Sequence, residues 1–134
     1  MLVLARPAAA TPASMQSALR QITGGARVRT GRVKLQLPPL VENGNSVAFT
    51  VSVDSPMTAD DHVRAIHVLT EQNPQPNVIS VRFGPQAGRA QFSSRTRLAD
   101  SQTVHAVAEL SDGSFWSGTV NVVVTLSACI GDLV

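Results

Sequence analysis

Aromatic side chains are scarce in this chain: no tyrosine, one tryptophan and four phenylalanines among 134 residues. A core must therefore come mainly from Val, Ile, Leu and Ala, which favours strands over a large aromatic-lined pocket. Cysteine occurs once, at Cys129. A single thiol forms no internal disulfide and no thiolate cluster for a metal. Charge is also sparse. The net value of +2 is too small for polyanion binding, and no basic cluster with interleaved aromatics is present, so nucleic acid is not an expected partner. No apolar run approaches the roughly 20 residues that a bilayer-spanning helix needs, so no membrane span is expected. CxxC, HxH, HExxH, a phosphate-binding glycine loop and a nucleophile elbow are all missing.

What is present is periodicity. Thr11 and Pro12 read as an N-cap and the first position of a helix. Met15, Ala18, Leu19 and Ile22 then form one apolar face, and Thr23-Gly24-Gly25 ends the helix. From Arg32 onward the period falls to two. Alternation predicts strands over Val33–Leu37, Val47–Val53, Ile79–Phe83, Ala90–Leu98, Thr103–Leu110 and Thr119–Leu126. Val63–Thr70 is apolar on both faces and suits a central strand. Turn residues separate these runs: Asn43-Gly44-Asn45, Asp54-Ser55-Pro56, Asn73-Pro74-Gln75-Pro76, Gly84–Gly88 and Ser111-Asp112-Gly113-Ser114. About seven short strands predict an all-β, immunoglobulin-like antiparallel sandwich with a short leading helix and a C-terminal arm. The sandwich with its helix spans 11–126 and the arm 127–134. Residues 1–10, MLVLARPAAA, carry an Ala8-x-Ala10 pattern but are interrupted by Arg6 and Pro7. Two readings stay open there, a disordered start or the remnant of an export signal.

The chemistry-bearing residues are mostly scattered. His62 and His67 are five apart, on opposite sides of a continuous strand, and His105 is remote, so structural or surface roles are expected and no metal site. Asp60, Asp61 and Asp112 fall in turns. Arg95 and Arg97, with Arg89 nearby, form a basic stripe on one strand face, ordinary wet surface or a contact for an acidic partner. Cys129 differs by position. It follows the last patterned strand residue, Leu126, and on an extended strand it would share parity with Thr125 and Ser127, not with Val122, Val124 and Leu126. It is a buried small hydrophobe or an accessible thiol, and this parity favours access. An unperturbed thiol ionises near about 8.5, and the like charges of Asp132 and the terminal carboxylate oppose its deprotonation.

Taken in order, Ile22-Thr23-Gly24-Gly25, Val41-Glu42-Asn43-Gly44-Asn45, Val51–Thr58, Asp61-His62-Val63, Ile66-His67, Asn73-Pro74, Gly88-Arg89-Ala90, Arg95–Asp100, Gln102-Thr103-Val104 and Ser111–Trp116 resemble the SoxY sulfur carriers of bacterial thiosulfate oxidation. The resemblance runs from about Ile22 to Leu126. It implies pairing with a second small β-sandwich, SoxZ, and export to the periplasm, usually by a twin-arginine signal. It implies a non-enzymatic carrier without cofactor, whose arm holds sulfur intermediates on one cysteine, here Cys129. A haem cytochrome complex would load thiosulfate oxidatively, and a manganese hydrolase would release sulfate. Family arms typically end Gly-Gly-Cys-Gly-Gly. Here the cysteine sits among Ser127, Ala128, Ile130, Gly131 and Asp132, with Leu133 and Val134 beyond. A stiff, bulky arm of this kind suits a narrow enzyme channel less well than glycine does. Two further readings remain: a divergent carrier serving other enzymes, and a non-carrier interaction module whose Ile130, Leu133 and Val134 pack on a partner. A cysteine enzyme is disfavoured, since no His or Asp is placed to act as its base.

Overall fold

The structure is a computed structural model that describes residues 12–73 and 76–125. The chain folds as helix α1 (Pro12–Thr23) followed by nine strands: β1 (Val28–Thr30), β2 (Val33–Gln36), β3 (Leu40–Val41), β4 (Val47–Val53), β5 (Val63–Thr70), β6 (Asn77–Arg82), β7 (Gln91–Thr96), β8 (Gln102–Leu110) and β9 (Phe115–Val124). The larger sheet has six strands in the order β1-β9-β8-β5-β6, with β3 also on β9; the smaller is β2-β4-β7. Their facing sides form the main core, Ile66, Val68, Val104, Ala106, Ala108, Leu110, Val122 and Val124 against Leu35, Val47, Phe49, Val51 and Val53. This is the expected immunoglobulin-like sandwich with its leading helix.

Helix α1 explains why β5 is buried on both sides. Its apolar face, Met15 with Ala18, Leu19 and Ile22, covers Leu69, Val107 and Phe115 on the outer side of the larger sheet. Val107 therefore counts as core, although alternation grouped it with Thr103, His105 and Glu109. The helix ends as its sequence demands. The Gly24 amide donates to the Arg20 carbonyl (2.8 Å), and Gly24 takes a φ of 65° that a side chain would resist. The Thr11 cap lies outside the described residues, as do segments 1–10 and 127–134.

Three differences from the alternation have physical causes. Strands β1 and β3, three and two residues long, are too short to show a period, and both pair with β9 in parallel rather than antiparallel. A register shift between Val63 and Ala65 against β8 turns Val63 into the main core, out of phase with Leu69. Strand β9 begins at Phe115, ahead of the predicted Thr119, because Gly118 interrupts the pattern without interrupting the strand. A Cβ at Gly118 would lie 2.4 Å from the Val33 carbonyl oxygen, so the backbone of β2 rests on β9 at that point. Gly118→Ala should accordingly lower unfolding free energy by about 1–3 kcal/mol, read as a lower urea midpoint. An unchanged midpoint would mean that β2 can shift without cost.

Candidate functional site

Cys129 and the arm residues Ser127, Ala128, Ile130, Gly131 and Asp132 lie outside the described residues. What the structure defines is the root from which they continue. Strand β9 is held on both edges to its end. On one edge the Val123 amide donates to the Pro39 carbonyl (2.8 Å) and the Thr125 amide to the Val41 carbonyl (2.9 Å). On the other, Gln102 pairs with Val122, and Ser101 Oγ accepts from the Val124 amide (2.8 Å). That hydroxyl takes over where the β8 ladder stops. From Thr125, the four residues to Cys129 span at most about 13–14 Å.

A buried polar cluster stiffens this end. Asn73 Nδ2 donates to the Arg97 carbonyl (2.6 Å), while Asn73 Oδ1 accepts from the Ala99 amide (3.0 Å) and from Gln102 Nε2 (3.1 Å). Gln102 Nε2 also donates to the Asp100 carbonyl, and Gln102 Oε1 accepts from the Gln72 amide. The Leu98 amide donates to the Gly44 carbonyl and joins the smaller sheet's loop to the same end. Asn73 and Gln102 are buried, yet no described buried side-chain polar atom lacks a partner, as burial of amides requires. Asn43–Asn45, Asn73, Arg97–Asp100 and Gln102, matched above only as strings, thus meet around the arm's root. Sequence reasoning gave Asn73, Ser101 and Gln102 no functional part. The available signal was Gln102, a polar residue on the buried parity of Val104 and Ala106. Beside the root, Leu40 and Val123 are register partners and remain 60% and 53% exposed.

The other candidate residues do not converge. His62 Nδ1 contacts the Thr58 carbonyl (3.0 Å), and His105 Nε2 pairs with Glu71 Oε1 (3.1 Å). His67 is buried on the outer side of the larger sheet, its Nδ1 2.7 Å from Ser80 Oγ. Burial pushes the His67 pKa below the ordinary 6.5, Glu109 opposing and Arg82 reinforcing the shift. Asp112 accepts from the hydroxyl and amide of Ser114, which hold its carboxyl below the usual range. Asp60 is exposed and Asp61 closes a turn with Thr58. Arg95 reaches Ser46 Oγ, and Arg89 reaches Gln91; both are exposed, as is Arg97. Among the described residues no three His, Cys, Asp or Glu side chains come together to hold a metal.

An immunoglobulin-like sandwich with one cysteine placed four residues beyond its last clamped position is the class that fold and root define. The chain matches the family of the sulfur oxidation protein SoxY over residues 19–129, a span that ends at the cysteine, and it belongs to that family. Its fold is similar to that of the sulfur carrier protein SoxY from Chlorobium limicola f thiosulfatophilum, with a TM-score of 0.73 and 22% identity over 87% of this chain and 100% of that one. It is similar also to superoxide reductase (neelaredoxin) from Ignicoccus hospitalis, with a TM-score of 0.63 and 18% identity over 87% and 94% of the two chains. Superoxide reductase from Nanoarchaeum equitans gives 0.59 and 10% over 72% and 100%. At these identities the likenesses carry the fold alone. No curated protein matches in sequence. Family membership supports a sulfur-carrier role.

Two outcomes follow from the geometry. Asn73→Ala leaves the Arg97 carbonyl and the Ala99 amide without their partner, takes one of two acceptors from Gln102 Nε2, and should cost about 1–3 kcal/mol. Hydrogen exchange at Ala99 and Val124 should accelerate with it; loss of stability with no change there would detach the cluster from the root. The lowered His67 pKa makes the folded state bind its proton later than the unfolded chain does. Above pH 6.5 both are neutral; as pH falls below that value the unfolded chain gains a proton first, and stability declines toward the lowered folded pKa. Wild type should therefore lose more stability than His67→Gln below pH 6.5. A pH-independent difference in urea midpoint contradicts this.

Proposed function

We propose that this chain is a covalent carrier that takes thiosulfate and sulfane sulfur onto Cys129 and presents them to partner enzymes. The observation that carries the reading is the clamped end of β9, four residues ahead of the chain's single cysteine. A carrier needs a reactive atom that can leave its own domain while the domain gives partners a constant surface to grip. In loading, the thiol and thiosulfate form a sulfur–sulfur bond, releasing one proton and two electrons to a cytochrome-type sulfur transferase. In unloading, water at a manganese hydrolase cleaves the terminal sulfonate as sulfate and leaves a persulfide on Cys129. The chain contributes no catalytic residue and holds no cofactor; the sulfur is cargo. A SoxZ-like sandwich is its partner subunit, and the periplasm is where the system works. The non-glycine arm makes this a divergent carrier, with access to narrow partner channels reduced by Ile130, Leu133 and Val134.

One observation favours the second reading, an interaction module whose apolar tail docks on a partner protein: the exposed Leu40–Val123 pair beside the root. The two separate cleanly. For a carrier, Cys129→Ser leaves the thermal unfolding midpoint unchanged and abolishes thiosulfate-dependent electron release in the reconstituted system. Full activity of that variant excludes the carrier. In the docking reading, a small alkylating reagent fails to reach Cys129 in the folded complex.

A further inference from the structure

The outer side of the larger sheet holds a second feature, remote from the arm. Between α1 and strands β5, β6 and β8 lies a cleft of about 530 Å³, with Ala18, Gln21 and Ile22 on the helix side and His67, Arg82 and Glu109 on the sheet side. Its volume falls within the usual range for small-molecule sites. Arg82 and Glu109 both pair with Ala65, on opposite edges of β5. Their Cα atoms are thus two strand spacings apart, roughly 9.5 Å. Among the described residues neither forms an ion pair. One row along β5 lies His67, whose Nδ1 is taken by Ser80 Oγ while Nε2 has no hydrogen-bond partner among the described residues. Ala18 and Ile22 add an apolar wall beside these groups.

We infer that this cleft binds a small zwitterion of the α-amino-acid class. Arg82 meets the carboxylate in a charge-assisted hydrogen bond, Glu109 meets the ammonium group, and the side chain lies along Ala18 and Ile22. His67, kept neutral by its burial, offers Nε2 without adding a charge that would upset the match. A simple anion would face Glu109 and a simple cation would face Arg82, so only a ligand with both charges satisfies both sides. The His67 end of this cleft is remote from the end of β9. Ser117 lies level with Val107 and His67, and from Thr125 back to Ser117 strand β9 covers roughly 26 Å at about 3.3 Å per residue. Four residues of fully extended chain, the separation of Cys129 from Thr125, span at most about half that distance.

The inference stands apart from the carrier reading and is tested without sulfur chemistry. Titrating isotope-labelled full-length protein with L-alanine should give saturable shifts of the His67 ring and Arg82 Nε signals. Arg82→Gln and Glu109→Gln should each weaken this binding by about tenfold, with resonances across the sandwich core unmoved. Acetate or methylammonium alone should give no saturable response. No saturation with L-alanine, equal binding of acetate or methylammonium, or full affinity in both variants would overturn the assignment.

Discussion

Strand β9 is held on both edges up to its end, and the site is built on that clamp. Strand ends that lack ladder partners fray. Here β3 supplies carbonyls from Pro39 and Val41 on one edge, and Ser101 supplies a hydroxyl on the other. The Asn73–Gln102 cluster beneath holds the loops that bring Ser101 and its neighbours into place. A chain released from such an anchor has a defined origin and a bounded reach. Both would matter for the proposed carrier role, in which the cysteine is served by catalytic sites on other molecules.

The sandwich itself is a poor guide to chemistry. A carrier and two superoxide reductases share its architecture at 22% identity or less, as expected where function is grafted onto a common scaffold. What distinguishes this chain is its two differently built ends and sides. The root at the end of β9 is stiff, polar inside and flanked by the exposed Leu40 and Val123. The cleft under α1 is lined by opposite charges and a neutral imidazole. The two surfaces lie well apart, so occupation of one leaves the other open.

Much of the architecture was legible in the alternation of residues. The apolar parity of Val47–Val53 and Val104–Leu110, the double-faced Val63–Thr70 and the amphipathic Met15–Ile22 each specify one packing solution. What escaped was set by contacts distant in sequence. Val107 is apolar because a helix some ninety residues earlier covers it, and β1 and β3 are strands because β9 offers them edges. Gly118 marks a close approach of β2 that no local pattern reveals. Asn73, in a predicted loop, and Gln102, just ahead of a predicted strand, are brought within 3.1 Å only by the fold. The cysteine was the reverse case. Its solitude was readable in the sequence, whereas the clamp at the end of β9 belongs to tertiary structure.

Intact-mass spectrometry of the protein isolated under non-reducing conditions after thiosulfate exposure, together with its loading partner, tests the central claim most directly. The account predicts a mass increase equal to bound thiosulfate or sulfane sulfur, mapped to the peptide containing Cys129 and removed by a thiol reductant. Unmodified Cys129 throughout turnover of thiosulfate would contradict it.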